Sequence, residues 1–216
     1  LGIVIFGSGG WNWIIPLIFF FISSSILSHF NRKEKSQRNL LQILSNGGLA
    51  TIFAIENIFI KSSFSLIFYL SAIAAATADT WGTEVGFHSK SKPKLIFSKQ
   101  LVPKGTSGSI TLLGTIGSII GAILIAVLGQ IIFSHKNIFL PMAIAGISGS
   151  IFDSFLGRFF QAKYLCKECS EHSEDNNHCD LPALRISGLK IIDNNMVNFL
   201  NTLCGGIMGY FFWTIV

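Results

Sequence analysis

The chain has 216 residues, of which 50% are hydrophobic and 12% charged, with a formal net charge of +5. With a strongly positive mean hydropathy, that composition excludes an ordinary soluble domain. The basic residues lie between apolar runs rather than in a separate arm, which argues against a nucleic-acid partner and for topology signals and anion contacts. A helix crosses the hydrocarbon core with about 20 apolar residues, so the expectation is all-α: one polytopic membrane bundle over residues 1–216, with about six to seven transmembrane helices.

Leu1 to Phe6 is an apolar run that stops at Gly7-Ser8-Gly9-Gly10. It reads as a helix truncated at its N-terminal side, and it lacks the basic start and cleavage site of a signal peptide. Trp11 to Phe30 is the first complete span, with Trp11 and Trp13 as interfacial anchors. A basic loop follows, from Asn31 to Arg38. Asn39 to Ile60 is apolar but interrupted by Ser45-Asn46-Gly47-Gly48, which predicts a short helix, a break and a short span. After a turn at Lys61-Ser62-Ser63, the span from Phe64 to Ala78 runs into Asp79-Thr80-Trp81-Gly82-Thr83-Glu84. Residues 87–105 form a second basic loop. Thr106 to Phe133 is a Gly-rich span, Ser134 to Asn137 a turn, and Ile138 to Phe160 a span containing Asp153. A Cys/His-containing polar loop, residues 161–192, precedes the last span, Met196 to Val216.

If the spans alternate, the polar stretches at 31–38, 87–105 and 158–192 share one side and carry 14 of the 16 Lys and Arg residues, leaving Lys61 and Lys136 opposite. The positive-inside rule puts those loops in the cytoplasm. The same alternation brings Asn46, Asp79, Glu84, Asp153 and Asp193 to the cytoplasmic face of a multi-pass membrane protein.

Asp79, Glu84, Asp153 and Asp193, with the amides Asn46, Asn194, Asn195 and Asn198, form a hard-oxygen cluster. Acids at a membrane face need a partner, and Mg2+ binds through one or two carboxylates together with substrate phosphates. Lys104-Gly105-Thr106-Ser107-Gly108-Ser109 is predicted to open the fourth span, where free N–H groups, hydroxyls and the helix dipole can cradle phosphate. Its residue order is not that of a Walker A loop. Glycines at three- and four-residue spacing, as in Gly114, Gly117 and Gly121 or Gly205 and Gly209, allow close helix packing. Gly47-Gly48 and the stretch from Gly146 to Ser150 also permit broken helices beside a polar cavity. Cys166 and Cys169, followed by His172, His178 and Cys179, can supply a tetrahedral Zn2+ site, taken as Cys166, Cys169, His178 and Cys179. The adjacency of His178 and Cys179 departs from common zinc-finger spacings.

These blocks, above all Asp79-Thr80-Trp81-Gly82-Thr83-Glu84, with Ser45-Asn46-Gly47-Gly48, Gly105-Thr106-Ser107-Gly108-Ser109, Asp153-Ser154-Phe155-Leu156-Gly157 and Asp193-Asn194-Asn195, follow a familiar order. The chain resembles the integral membrane family that includes transmembrane protein 19 and the plant phytyl-phosphate kinases. The resemblance implies a Mg2+-dependent kinase that converts an isoprenyl monophosphate in the bilayer to the diphosphate, with a nucleoside triphosphate, CTP favoured over ATP, as donor. On that reading Asp79, Glu84 and Asp153 hold Mg2+, and Asp193, Asn194 and Asn198 form a further metal or ribose-and-phosphate group beside Asn46. Lys104, Thr106, Ser107 and the Gly108 N–H hold donor phosphates. Arg38, Arg158 and Lys163 meet the acceptor phosphate or the transition-state charge.

Two other classes use similar parts. A CTP-dependent lipid nucleotidyltransferase would release pyrophosphate. An ion-coupled transporter would place its acids near the midplane within an inverted repeat, for which Asp79-Thr80 and Asp153-Ser154 give only a faint echo. The ladder of four spaced aspartates of a CDP-alcohol phosphotransferase is absent from the sequence.

Overall fold

A computed structural model describes residues 1–31, 40–134, 137–169 and 171–216, with the backbone alone at His172. Among them are six long helices: α1 Gly2–Phe30, α2 Leu40–Phe59, α3 Ser63–Phe87, α4 Leu112–Phe133, α5 Phe139–Phe159 and α6 Asn194–Ile215. By length and composition α1, α3, α4 and α5 can each cross a membrane. The other two, of 20 and 22 residues, carry more polar side chains, among them Asn46 in α2 and Asn194, Asn195, Asn198 and Asn201 in α6. The chain is thus a mostly all-α helical membrane protein.

Helix α3 is the axis. Ser62 caps its start by accepting from the Ser65 N–H at 3.2 Å, and every residue from Ile67 to Ala78 is buried, so no side of that segment faces solvent or lipid. It touches all five other helices. Small residues make this possible: a Cβ added at Gly114 would stand 2.7 Å from the Gly82 carbonyl oxygen, and one at Gly205 2.5 Å from the Ala75 Cβ. Without an exclusion of water to drive helices together in lipid, such close backbone approach supplies the packing. Ile22, Ile52, Ile123 and Phe211 remain exposed around the outside, as a lipid-facing surface requires.

Three local expectations are corrected. Ser45-Asn46-Gly47-Gly48 does not break α2, which runs unbroken through it; the Ser45 hydroxyl and Asn46 amide both donate to the Gln42 carbonyl, at 3.1 Å each, and bind back onto their own helix. Gly146 to Ser150 likewise lies in continuous helix. The break falls instead in α1 at Gly9 and Gly10, where Gly10 takes φ 65°. Finally, α4 begins at Leu112, capped by Thr111, whose hydroxyl accepts from the Gly114 N–H at 2.9 Å. Lys104 to Gly108 therefore precedes the helix as a loop, and Ser109 enters a short strand.

The polar connections at one end of the bundle are ordered by short strands. β1 (Lys94–Leu95) pairs with β2 (Ser109–Ile110), and the 161–192 loop folds into β3 (Lys163–Leu165), β4 (His172–Ser173), β5 (Asn177–His178), β6 (Leu181–Pro182) and β7 (Leu184–Ser187). β3 is central between β4 and β7, and β5 with β6 makes a separate hairpin.

Candidate functional site

The ends of α1, α3 and α5 and the starts of α2, α4 and α6 meet at the end of the bundle that carries these strands. There they surround a cavity of about 1210 Å3. Its floor is acidic. Asp79 comes from α3 and Asp153 from α5, and their carboxyl groups lie within hydrogen-bonding reach of each other. Both sit inside their helices, eight and six residues before the last turns end at Phe87 and Phe159, about 12 Å and 9 Å along the axis. They are thus deeper than the loop junctions where the sequence put them. Among the described residues the Asp153 Oδ2 atom is buried with no hydrogen-bond partner. A buried carboxylate oxygen without a donor, facing a second carboxylate, is costly unless a cation meets it. The residues therefore fit a magnesium ion.

Glu84 is five residues from Asp79, which on a helix turns it about 140° away. It faces α1 instead. The Ser28 hydroxyl donates to its Oε1 at 2.5 Å, and the Asn31 amide donates to its Oε2 at 2.5 Å and to its backbone carbonyl at 2.8 Å. Ser28 and Asn31 line the cavity with Glu84, and neither carries a motif that would have marked it in the sequence.

The wall facing the carboxylates is the loop from Lys104 to Thr111. Gly108 needs its lack of a side chain twice over: its φ is 75°, and an added Cβ would stand 2.3 Å from the Arg158 backbone nitrogen. Arg158 holds Ile96, its guanidinium donating to the Ile96 carbonyl and lying 4.7 Å over the Phe159 ring, and the Ile96 N–H in turn donates to the Gly108 carbonyl at 3.0 Å. Lys104 donates to the Phe87 carbonyl at 2.8 Å, at the C-terminal end of α3, where the helix dipole favours a cation. Asn46 from α2 and Asn194 and Asn198 from α6 complete the lining, the last two one helical turn apart on one face.

The cavity holds a fourth carboxylate that sequence reasoning did not select. Glu174, between β4 and β5, reaches back over the bundle, accepting from the Ser107 hydroxyl and, at 3.1 Å, from the Gln161 amide. Burial pushes its carboxyl above the ordinary range despite those two hydrogen bonds. It lies amid Glu171 and Asp175, with nothing local to distinguish it.

Of the sequence-selected residues, Asp79, Glu84, Asp153, Lys104, Asn46, Thr106, Ser107, Gly108, Asn194 and Asn198 line the one cavity. Asp193 does not; it is exposed and caps α6, accepting from the Met196 N–H at 2.8 Å. Arg158 and Lys163 are not among the cavity's lining residues. Lys163 donates to the Arg158 carbonyl at 3.4 Å, and burial lowers its pKa. Arg38 falls outside the described residues. Cys166, Cys169, His178 and Cys179 converge at a separate place.

Residues 1–206 match the sequence model of a family described as integral membrane protein DUF92. The chain belongs to the DUF92 family. An uncharacterized membrane protein of Methanocaldococcus jannaschii is 33% identical to this DUF92 chain over 97% of it and 79% of that relative. Protein PGR of Arabidopsis thaliana is 28% identical, over 91% of the DUF92 chain and 80% of its own length. An uncharacterized membrane protein of Synechocystis is 25% identical, over 69% and 67%. No solved structure matches the DUF92 chain.

Proposed function

We propose that the protein is a membrane phosphotransferase that moves a phosphoryl group from a nucleoside triphosphate, CTP favoured, to an isoprenyl monophosphate such as phytyl phosphate. The observation that carries this reading is the Asp79–Asp153 pair, with its unpartnered Oδ2, in a cavity walled by a Gly- and hydroxyl-rich loop. The same cavity is lined by Phe20, Phe21, Ile43, Ile119 and Ile147, a surface suited to an apolar chain with a phosphate head. The basic loops at this end support a cytoplasmic orientation by the positive-inside rule, and a soluble nucleotide would arrive from that side.

In the reaction, an oxygen of the acceptor phosphate attacks the terminal phosphorus of the donor. A P–O bond forms as the bond from that phosphorus to the bridging oxygen breaks, and the nucleoside diphosphate leaves with the electron pair. The acceptor is already ionised, so no general base is required, and catalysis rests on positioning and charge neutralisation. Asp79 and Asp153 are the residues that would hold Mg2+, with Glu174 lining the same cavity; the ion, when bound, would neutralise phosphate oxygens. Thr106, Ser107, the Gly108 N–H and Lys104 bind and orient the donor phosphates. Asn46, Asn194 and Asn198 offer amide contacts to ribose or acceptor from the opposite wall.

The test is transfer of terminal-phosphate label from CTP and from ATP to phytyl, farnesyl and geranylgeranyl monophosphates by purified protein in lipid. Label in a lipid-soluble diphosphate, dependent on Mg2+ and lost on chelation, is expected. Pyrophosphate release in its place would identify a nucleotidyltransferase. The depth of Asp79 and Asp153 within their helices also suits ion-coupled transport, so a folded protein that moves no label is next tested for cation-driven uptake in proteoliposomes.

A further inference from the structure

Beside the cavity, the 161–192 loop holds a second set of groups with a chemistry of its own. Cys166 and Cys169 lie in the turn that follows β3, His178 ends β5 and Cys179 comes next, and their sulfur and ring-nitrogen atoms all lie within 4.8 Å of one another. The Cys169 and Cys179 sulfurs are 3.8 Å apart. The His178 Nδ1 is 3.5 Å from the first and 3.3 Å from the second. A tetrahedral zinc ion with bonds of about 2.3 Å to sulfur and about 2.05 Å to nitrogen has edges of about 3.8 Å between sulfurs and about 3.5 Å between sulfur and nitrogen. The Cys169, Cys179 and His178 side chains stand close to those spacings, and the Cys166 sulfur lies within 4.8 Å of all three. The backbone N–H groups of Glu168 and Cys169 also point at the Cys166 sulfur, the kind of outer hydrogen bonding that orients a metal-bound thiolate.

We propose that Cys166, Cys169, His178 and Cys179 bind one Zn2+, and that this ion fixes the segment that delivers Glu174 to the cavity. Four protein ligands leave no open coordination position, so the site is structural. Its ligands bracket Glu174: Cys169 is five residues before it and His178 four after. The intervening Glu171-His172-Ser173-Glu174-Asp175-Asn176-Asn177 has no apolar side chain, and β4 and β5 are two residues each. Such a segment cannot bury enough surface to order itself, and a metal staple replaces the missing core. Glu174's part in phosphoryl transfer rests on the reading above; the ion and its hold on the loop do not.

The experiment uses full-length protein purified in detergent without chelator. Metal analysis is expected to find about one zinc per chain, falling below about a fifth of that in Cys179→Ser and unchanged in Glu174→Gln. Against misfolding of the serine variant, wild-type protein stripped of metal and given Co2+ should show thiolate-to-cobalt charge-transfer absorption. A Cys169–Cys179 disulfide, a different resident metal, or no uptake of Zn2+ or Co2+ by reduced protein overturns the site. Cleavage by a glutamate-specific protease, mapped by mass spectrometry, tests the loop. Cutting after Glu174 should appear only in zinc-depleted protein, and equal cutting with zinc bound overturns the link to Glu174. Protein that binds zinc and shields Glu174 but transfers no phosphate would sink the phosphoryl-transfer reading alone.

Discussion

Asp79 and Glu84 stand on the same two turns of α3, yet the protein treats them oppositely. Glu84 turns to α1, where the Ser28 hydroxyl and Asn31 amide meet both carboxylate oxygens. Its charge is absorbed by neutral donors, and the bonds tie the end of α1 to α3. Asp79 turns to α5 and meets another acid, Asp153, whose Oδ2 has no donor among the described residues. One region is a completed joint between helices. The other, on the proposed reading, is completed by a cation, and that difference, rather than acidity, is what distinguishes the two.

The comparison breaks most decisively at the pair. Asp153→Asn keeps the side-chain shape and removes one of two facing charges; transfer should fall by at least about a hundredfold, while the melting temperature without Mg2+ should rise, because like charges no longer face each other in a buried site. Full activity in folded Asp153→Asn would end its assignment as a metal ligand. Gly108→Ala comes next. Its Cβ would stand 2.3 Å from the Arg158 nitrogen at a φ of 75°, so the loop must shift. A stability cost of about 1–3 kcal/mol is expected, together with a roughly tenfold to hundredfold loss of transfer from misplaced phosphate contacts. Smaller again is Glu84→Gln, which weakens two charge-assisted hydrogen bonds at a cost of about 1 kcal/mol and should reduce transfer far less than Asp153→Asn. Equal losses from the two would place Glu84 with the metal pair and erase the distinction.

Much of this arrangement is legible in the sequence, for physical reasons. Apolar runs of membrane length and the bias of basic loops mark the helices and their alternation, and alternation alone brings Asp79, Asp153, Asn46 and Asn198 to one end. What is hidden is set by rotation and by long-range contact. The block from Asp79 to Glu84 reads as a single acidic cluster until the helical period is applied to it, which sends its two acids to different neighbours. Ser45-Asn46-Gly47-Gly48 looks like a break because its residues favour turns, but among packed helices its side chains bind back to α2 and the helix continues. Lys104 to Ser109 resembles a helix start, whereas Thr111 is the residue that caps α4. Glu174 belongs to a polar stretch and meets Ser107 and Gln161 only through long-range contact, so its place beside them has no local signal.

Glu174 also gives the finest test of the contrast between satisfied and unsatisfied acids, because it has both features: donors from Ser107 and Gln161, and burial that still raises its carboxyl above the ordinary value of 4.5. In the folded protein the group therefore holds its proton to higher pH than in the unfolded chain. Between 4.5 and the raised value the folded state binds more protons, so its stability falls as pH increases through that window; below both values the penalty vanishes, and above both it is constant. Melting curves of wild type and Glu174→Gln from about pH 4 to about pH 8 isolate this contribution. The wild type should lose stability relative to the variant on going up through the window and then run parallel to it. A relative gain with rising pH would mean that hydrogen bonds and Lys163 outweigh burial, making Glu174 a satisfied acid like Glu84 rather than a companion of the Asp79–Asp153 pair.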